Sequence, residues 1–377
     1  MGSTPAPAIL PFREYLLVGL TAAVLTFLLT GLVRRLAIRS GAVAKPRDRD
    51  VHLTPIPRLG GLAMYGGILG GVLLATHLPV LRRSFEFSWD VVAVLVAGAI
   101  IVVVGAIDDR FELDSLTKLA GQVTAAGVLV LFGVQWFLFW MPWNGGLTLV
   151  LGQDQAVLLT VALAVALMNA MNFVDGLDGL AAGIGLIAAA AIGAFALNLL
   201  DESGRSVSAY PPTLIAALVA GACLGFLPHN FQPARIFMGD SGAMLIGLML
   251  AGATTSASGQ IDIQQSNASD ALALLSPLLV VAAVLFVPLL DLVLAVVRRT
   301  SAGRSPFAAD KMHLHHRLLE IGHSHRRAVL LIYLWAALLA FGAVALTLFD
   351  GFVVVWGIGL GLLVALLGSV VPRLRAG

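Results

Sequence analysis

The feature that most constrains this chain is a succession of long apolar segments. A helix needs about 20 apolar residues to cross the hydrocarbon core of a bilayer, and eleven segments approach that length. Because unpaired backbone groups are not tolerated in lipid, consecutive segments of this kind must form a helix bundle. The eleven segments cover residues 14–36, 59–78, 90–107, 118–138, 155–173, 177–199, 211–228, 241–256, 272–297, 328–349 and 351–371.

We therefore predict an all-α, polytopic membrane protein, with residues 1–377 forming a single transmembrane domain of about eleven helices. Only 12% of the residues are charged, whereas a soluble domain has about 25%. The 40 glycines are expected to let helices approach one another closely. The net charge of +2 is too small to indicate a nucleic-acid partner. The first apolar run follows no basic region, which favours a retained helix over a cleaved signal peptide.

The basic residues are distributed unevenly among the connecting segments. If the N-terminus is outside, 19 of the 23 Lys and Arg residues lie on the inner side. The positive-inside rule then predicts an outer N-terminus and a cytoplasmic C-terminus. The same alternation puts the chemically distinctive connections on the cytoplasmic face. These connections are residues 51–61, 108–110, 169–178, 228–242 and 306–317.

Adjacent carboxylates, Asp108 and Asp109, end the third segment. Two neighbouring acids repel each other unless a cation or a proton intervenes. The C-terminus of a helix is also an unfavourable place for negative charge. A bound metal ion or a cationic neighbour would offset both costs. A solvated helix end with Arg110 as the partner remains the alternative.

Two further acidic positions adjoin apolar segments. Asp175 and Asp178 are predicted to start the sixth helix, where a spacing of three places both on one face. Capping that helix would need one acid only, yet Asn169 and Asn172 continue the same spacing upstream. Asp240 opens the eighth segment, either as a helix cap or as a ligand of a hard cation such as Mg²⁺.

A histidine cluster, His313, His315 and His316, lies beside Lys311 and Arg317. No cysteine is nearby, and these histidines alone do not complete a tetrahedral zinc site. The cluster is better interpreted as a phosphate-binding basic patch, with a basic loop at the lipid headgroups as the alternative.

These residue types favour a polyanionic substrate, bound through a divalent cation at the membrane surface. A second substrate could approach from the lipid. Lys118, at the start of the fourth segment, either serves this site or is an interfacial anchor.

Two other functional classes stay open. Pro288 and Asp291 in the ninth segment would suit a secondary transporter, and a lipid-binding scaffold is the third possibility.

Four motifs in register resemble a known family. "GAIDDRFELDSLTKLAGQ", "NFVDGLDGLAAG", "FMGDSG" and "PFAADKMHLHHRL" are similar to the signature segments of the polyprenyl-phosphate N-acetylhexosamine-1-phosphate transferases, over roughly residues 45–320. The His-x-His-His-Arg-Leu form and "PxPRLGG" resemble the GlcNAc branch. The phospho-MurNAc-pentapeptide branch carries three successive histidines instead.

The resemblance implies that GlcNAc-1-phosphate passes from UDP-GlcNAc to a polyprenyl phosphate, giving UMP and a lipid diphosphate sugar. Another UDP-N-acetylhexosamine or UDP-MurNAc-pentapeptide is the alternative donor. The implied cofactor is Mg²⁺, with Mn²⁺ as a substitute. The implied location is the bacterial plasma membrane, with the site facing the cytoplasm. The oligomeric state stays open, and a homodimer is one option.

The resemblance also assigns roles to residues. Asp108 and Asp109 match the paired acids near the reacting phosphates, one of them as a base, and Lys118 matches a basic position after them. Asp240 matches the metal-coordinating acid. Direct attack by the lipid phosphate and a covalent phospho-Asp intermediate both stay open. Substrate contacts are expected from His52, Arg58, Asn172, Asp175, Asp178, Asn230, Phe237, His313, His315 and His316, with Asp178 as the candidate uracil contact.

Overall fold

A computed structural model describes residues 10–44, 55–141, 147–260, 322–349 and 351–375, together with five single positions between 279 and 301. The structure is mostly helical and contains two short pairs of antiparallel strands. The strands are β1 (Val43–Ala44), β2 (Ile56–Pro57), β3 (Leu138–Met141) and β4 (Leu147–Val150). The helices are α1 (Phe12–Ser40), α2 (Gly60–Ala75), α3 (Ser84–Phe87), α4 (Asp90–Phe111), α5 (Ser115–Leu131), α6 (Gln153–Val174), α7 (Leu180–Glu202), α8 (Tyr210–Asn230), α9 (Gly239–Ser258), α10 (His325–Leu348) and α11 (Gly351–Arg375).

The helical, membrane-spanning fold is confirmed. Ten of the eleven predicted segments are helices. The ninth, 272–297, has three single described positions, and Asp291 lies outside the described residues. In the described part of the chain, eight helices are long and apolar enough to cross a membrane. Helices α2 and α5 are apolar but shorter, with 16 and 17 residues. The total of eleven spans stays a prediction.

The fourth segment differs from its predicted extent of 118–138. Helix α5 ends at Leu131, because Gly133 has a φ of +90° and reverses the chain. The amide of Gly133 donates to the carbonyl of Val130, and the amide of Val134 donates to that of Leu129. This pair of bonds is the glycine-terminated ending common to helices. The apolar residues that follow form the β3–β4 hairpin instead of a further helical turn.

Helix α9 lies at the centre of the bundle, in contact with α2, α4, α6, α7 and α8. Nearly all of its residues are buried, although it is the least apolar of the eight long helices. Glycine, alanine, serine and threonine make up most of its sequence, and such small residues allow close helix packing without lipid contact. In contrast, α11 packs on α10 and is otherwise largely exposed.

Glycines bring α2 and α4 against the start of α9. A Cβ atom on Gly105 in α4 would lie 2.4 Å from the Cα of Ser241, and one on Gly61 in α2 would lie 2.3 Å from the amide nitrogen of Gly242. Both obstacles are backbone atoms, which cannot rotate away. The prediction that glycines serve close helix packing is confirmed at these contacts.

Replacing Gly105 by Ala is therefore expected to destabilise the bundle by roughly 1–3 kcal/mol, the usual cost of overpacking a core. The matched control is Gly127→Ala in α5, where an added Cβ would meet nothing within 4 Å. Alanine is the better helix former, so the control should be neutral or slightly stabilising. Thermal denaturation in detergent measures both variants. Equal midpoints would contradict the close contact between α4 and α9.

The helix ends that carry the predicted motifs lie at one end of the bundle. The C-terminus of α4 contacts the N-terminus of α9 through Asp109, and the C-terminus of α6 does so through Asn172. The N-terminus of α5 joins them through Lys118. At the opposite end, Asp90 in α4 meets Ser256 in α9. The motifs therefore converge although they are separated by up to about 130 residues in the sequence.

Candidate active site

The N-terminus of α9 lies at the centre of the candidate site, and the Asp109 side chain caps this helix end. One Asp109 oxygen accepts the amide of Asp240 at 2.9 Å, and the other accepts the Ser241 hydroxyl at 2.8 Å and the Ser241 amide at 3.3 Å. Only 6% of Asp109 is exposed. An acid at the C-terminus of its own helix is unfavourable, but here the positive N-terminus of α9 faces it. Arg110 is not needed to explain its charge.

Gly239 makes this cap possible. Its φ is +71°, a conformation that residues with a side chain rarely adopt, and a Cβ there would lie 2.3 Å from an Asp109 oxygen. Helix α9 starts at this glycine, so Asp240 lies in the first turn. The expectation that Asp240 could itself cap the helix is wrong, since the carboxylate that caps it comes from α4.

Asp240 instead faces two other helices. One of its oxygens accepts the amide NH₂ of Asn172 in α6 at 2.8 Å, and the other forms an ion pair with Lys118 in α5. About a quarter of the Asp240 side chain is exposed, in contrast to the buried Asp109. The first turn of a helix favours a negative charge, so the fold stabilises an ionised, accessible carboxylate at this position.

Lys118 also binds Asp108. Its ammonium lies 3.1 Å from one Asp108 oxygen, while the amide of Leu113 donates to the other oxygen at 2.8 Å. Lys118 thus bridges the acids of α4 and α9. It belongs to the candidate site by position, and its catalytic role stays a prediction. The two adjacent acids have different surroundings, because Asp109 caps a helix and Asp108 holds the lysine.

Sequence reasoning missed Gln122, which forms a hydrogen bond with Asn169 near this group. The amide NH₂ of Asn169 donates to the Gln122 oxygen at 2.8 Å, and Gln122 is buried. Gln122 lies four residues after Lys118, so both occupy one face of α5. That spacing was the signal that could have revealed it. The expected alignment of Asn169 with Asn172 on one face of α6 agrees with these contacts.

The turn from Asp175 to Gly179 differs from its predicted geometry. Asp175 ends α6, and α7 begins at Leu180, after Gly179 with a φ of +79°. The two acids therefore do not share the face of a helix start, and neither caps α7. Asp178 is buried, and one of its oxygens accepts the amide of Ala234 at 2.9 Å.

Asn230 fastens this turn to the loop between α8 and α9. Its side-chain oxygen accepts the amide of Gly179 at 3.1 Å, and its NH₂ donates to the carbonyl of Ile236 at 3.0 Å. The described contacts give Asn230 a positioning role. Its contact with substrate stays a prediction, as does that of Asp178.

Arg58 lies close enough to Asp175 and Asp109 to act on their charges. Burial raises the pKa of Asp175 well above its usual range, and the neighbouring charge of Asp109 raises it further, while Arg58 opposes the shift. An added positive charge near Asp175 would lower the pKa of this carboxyl, because it favours the ionised form. Arg58 thus adds positive charge near these two acids, and its contact with substrate stays a prediction.

The "PxPRLGG" segment forms backbone hydrogen bonds with the loop that precedes α9. The carbonyl of Pro57 accepts the amide of Phe237 at 2.8 Å. The amides of Gly60 and Gly61 then donate to the carbonyls of Phe237 and Met238 at 3.2 and 3.1 Å. The first amides of α2 thus find partners in the loop that carries Phe237.

The structure brings together the ten predicted site residues that it describes. They are Arg58, Asp108, Asp109, Lys118, Asn172, Asp175, Asp178, Asn230, Phe237 and Asp240. His52, His313, His315 and His316 lie outside the described residues. Their roles stay predictions.

Whether the donors fit a magnesium ion can be judged from their chemistry. Within the described part of the chain, no three Asp, Glu, His or Cys side chains are grouped so that they could hold a metal by themselves. Mg²⁺, however, keeps several waters and commonly takes one or two carboxylates together with substrate phosphates. Asp240 and Asp108 already share one cation, the Lys118 ammonium. This donor set fits an ion that binds together with a phosphate substrate.

The chain is similar to known proteins over most of its length. The model of glycosyl transferase family 4 matches residues 91–258. The chain is 59% identical to the decaprenyl-phosphate N-acetylglucosaminephosphotransferase of Mycolicibacterium smegmatis, over 97% of this chain and 90% of that protein. Against the protein of the same name from Mycobacterium tuberculosis the identity is 59%, over 97% and 91%.

A more distant relative is the undecaprenyl-phosphate alpha-N-acetylglucosaminyl 1-phosphate transferase of Escherichia coli. It is 30% identical over 84% of this chain and 79% of its own length. The relatives at 59% and at 30% identity thus both match most of this chain. The chain belongs to the polyprenyl-phosphate N-acetylglucosamine-1-phosphate transferases of glycosyl transferase family 4.

Proposed function

We propose that this enzyme transfers GlcNAc-1-phosphate from UDP-GlcNAc to decaprenyl phosphate, releasing UMP, at the cytoplasmic face of a bacterial plasma membrane. The relatives at 59% identity are named for decaprenyl phosphate and N-acetylglucosamine. The excess of basic residues in the predicted inner connections supports the cytoplasmic orientation.

One observation carries the proposal for this site. The Lys118 ammonium joins Asp108 and Asp240, while Asn172 holds the second oxygen of Asp240. Three helix ends thereby place one ammonium group and two partly exposed carboxylates at the end of the bundle. A diphosphate needs this combination, because cationic groups must offset the repulsion between the donor phosphates and the incoming lipid phosphate.

We propose direct attack by the lipid phosphate. Its oxygen forms a bond to the phosphorus that carries the sugar, the bond from that phosphorus to the bridging oxygen breaks, and UMP leaves with the electron pair. The second pKa of a phosphate monoester is about 6, so the nucleophile is mostly ionised at neutral pH. Both oxygens of Asp109 and both of Asp108 already accept hydrogen bonds, which disfavours either as a covalent nucleophile.

In this scheme Lys118 binds a phosphate oxygen and Asp108 orients Lys118. Asp240 and Asp108 would hold Mg²⁺, which when bound supplies positive charge for the donor diphosphate. Asp109 keeps α9 in place beneath them. The turn from Asp175 to Gly179 is proposed to lie on the nucleotide side.

The direct experiment uses purified protein in detergent with decaprenyl phosphate and three donors: UDP-GlcNAc, UDP-GalNAc and UDP-MurNAc-pentapeptide. We expect equal amounts of UMP and lipid-linked sugar from UDP-GlcNAc. EDTA should stop the reaction, and Mg²⁺ or Mn²⁺ should restore it. UMP without lipid product would indicate hydrolysis, and no UMP from any donor would contradict the transferase proposal.

A further inference from the structure

Helix α10 lies outside the part of the chain that the family model matches, yet it contacts two segments of the candidate site. The hydroxyl of Tyr333 donates to the carbonyl of Gly179, in the turn that follows α6. The guanidinium of Arg326 donates to the carbonyl of Gln232 at 3.0 Å, in the loop before α9. One helix thus binds the backbone of both segments that Asn230 joins.

Gly179 is fixed on both sides of its backbone. Its amide donates to Asn230 at 3.1 Å, and its carbonyl accepts both Tyr333 and the amide of Gly183. A Cβ on Gly179 would lie 2.9 Å from the ring of Phe231, in addition to the unfavourable φ. Asp178 directly precedes Gly179, so these bonds restrain the end of the turn from Asp175 to Gly179.

A second observation concerns the space that Tyr333 occupies. A Cβ on Gly183, one turn into α7, would lie 1.9 Å from the Cζ atom of Tyr333 and 2.1 Å from its hydroxyl oxygen. The phenol therefore reaches the carbonyl of Gly179 only because residue 183 has no side chain. This contact between α7 and α10 explains why the "LAAG" segment ends in glycine.

We propose that Tyr333 is a positioning residue for the turn from Asp175 to Gly179, and through this turn for binding of the nucleotide sugar. It acts through the carbonyl of Gly179 and does not touch the substrate. The inference rests on the proposed function, because that function places the nucleotide on this turn. Its structural part, the tether between α10 and the turn, can be measured without turnover.

The test is Tyr333→Phe, which keeps the ring and removes the hydroxyl. We expect the KM for UDP-GlcNAc to rise about three- to tenfold, the equivalent of one lost hydrogen bond, while kcat changes less than about twofold. Hydrogen–deuterium exchange of the peptide covering residues 175–183 should become faster. The matched control is Thr347→Val, which removes another hydroxyl of α10 that donates to Val344. It should leave KM and this exchange unchanged.

A double-mutant cycle with Gly183→Ala strengthens the test. If both residues act through the bond to Gly179, Gly183→Ala should raise KM, and the effects of Gly183→Ala and Tyr333→Phe should be less than additive. Additive effects, or unchanged KM and exchange in Tyr333→Phe, would overturn the proposal. If the wild type releases no UMP from UDP-GlcNAc, the proposed function fails instead, and the exchange measurement still reports on the tether.

Discussion

Replacing Asp240 by Asn is expected to reduce UMP release about 10³-fold, with little change in thermal stability. The substitution removes the charge that faces Lys118 and the proposed metal. Losing such charge stabilisation raises the activation free energy of the transfer by several kcal/mol. The amide can still contact Asn172, and α9 keeps its cap because Asp109 supplies it. Initial rates at saturating UDP-GlcNAc and Mg²⁺ measure the effect.

The matched control for this prediction is Asp201→Asn, the same chemical change at the far end of α7. Asp201 is about half exposed and pairs only locally, with Arg205 at 3.0 Å. An exposed pair of this kind contributes little to stability, and turnover should equal that of the wild type. Full activity of Asp240→Asn would contradict both the metal role and the use of Lys118.

The second large effect is expected for Asp109→Asn, and it should appear first as lost stability. An asparagine offers one acceptor oxygen to the three donors that now reach the carboxylate, and its NH₂ would face other donors. Charge-assisted bonds of this type contribute about 1.5–3 kcal/mol. We expect a lower thermal midpoint in detergent together with a loss of turnover of at least about 100-fold, because α9 carries Asp240.

Asp108→Asn separates the two neighbouring acids. It removes the charge that holds Lys118, but its oxygen can still accept the amide of Leu113. Turnover should fall while the thermal midpoint stays near that of the wild type. Ser241→Ala, which removes one of the three donors to Asp109, should lower the midpoint less than Asp109→Asn does. An unchanged midpoint in Asp109→Asn with turnover lost would assign Asp109 a chemical role and contradict the cap.

Several parts of the site could be predicted from the sequence. Lys118, Asn172, Asp175 and Asp240 were selected because charged and amide groups are rare beside apolar segments and are costly there unless they are used. The sequence could not distinguish a cap from a ligand at Asp240, because both roles need a carboxylate beside a helix start. It also misplaced Asp175 at the start of a helix that begins only after Gly179.

Other members of the site have no distinctive local signal. Gln122 and Tyr333 look like ordinary polar or aromatic residues of a membrane helix, and their partners lie 47 and 154 positions away. The end of α5 depended on a single glycine, Gly133, within an apolar run that favoured a longer helix. Hydrophobicity alone does not register such backbone reversals.

The sequence by itself determined that this chain is a membrane helix bundle with its acids at helix ends, because apolar length and charge placement are properties of short segments. Only the tertiary structure decided what each acid does. Asp108 and Asp109 are neighbours with the same chemistry, but one contacts Lys118, ten positions away, and the other contacts the start of α9, about 130 positions away. The role of a carboxylate depends on the donors and charges that surround it, and folding selects those partners.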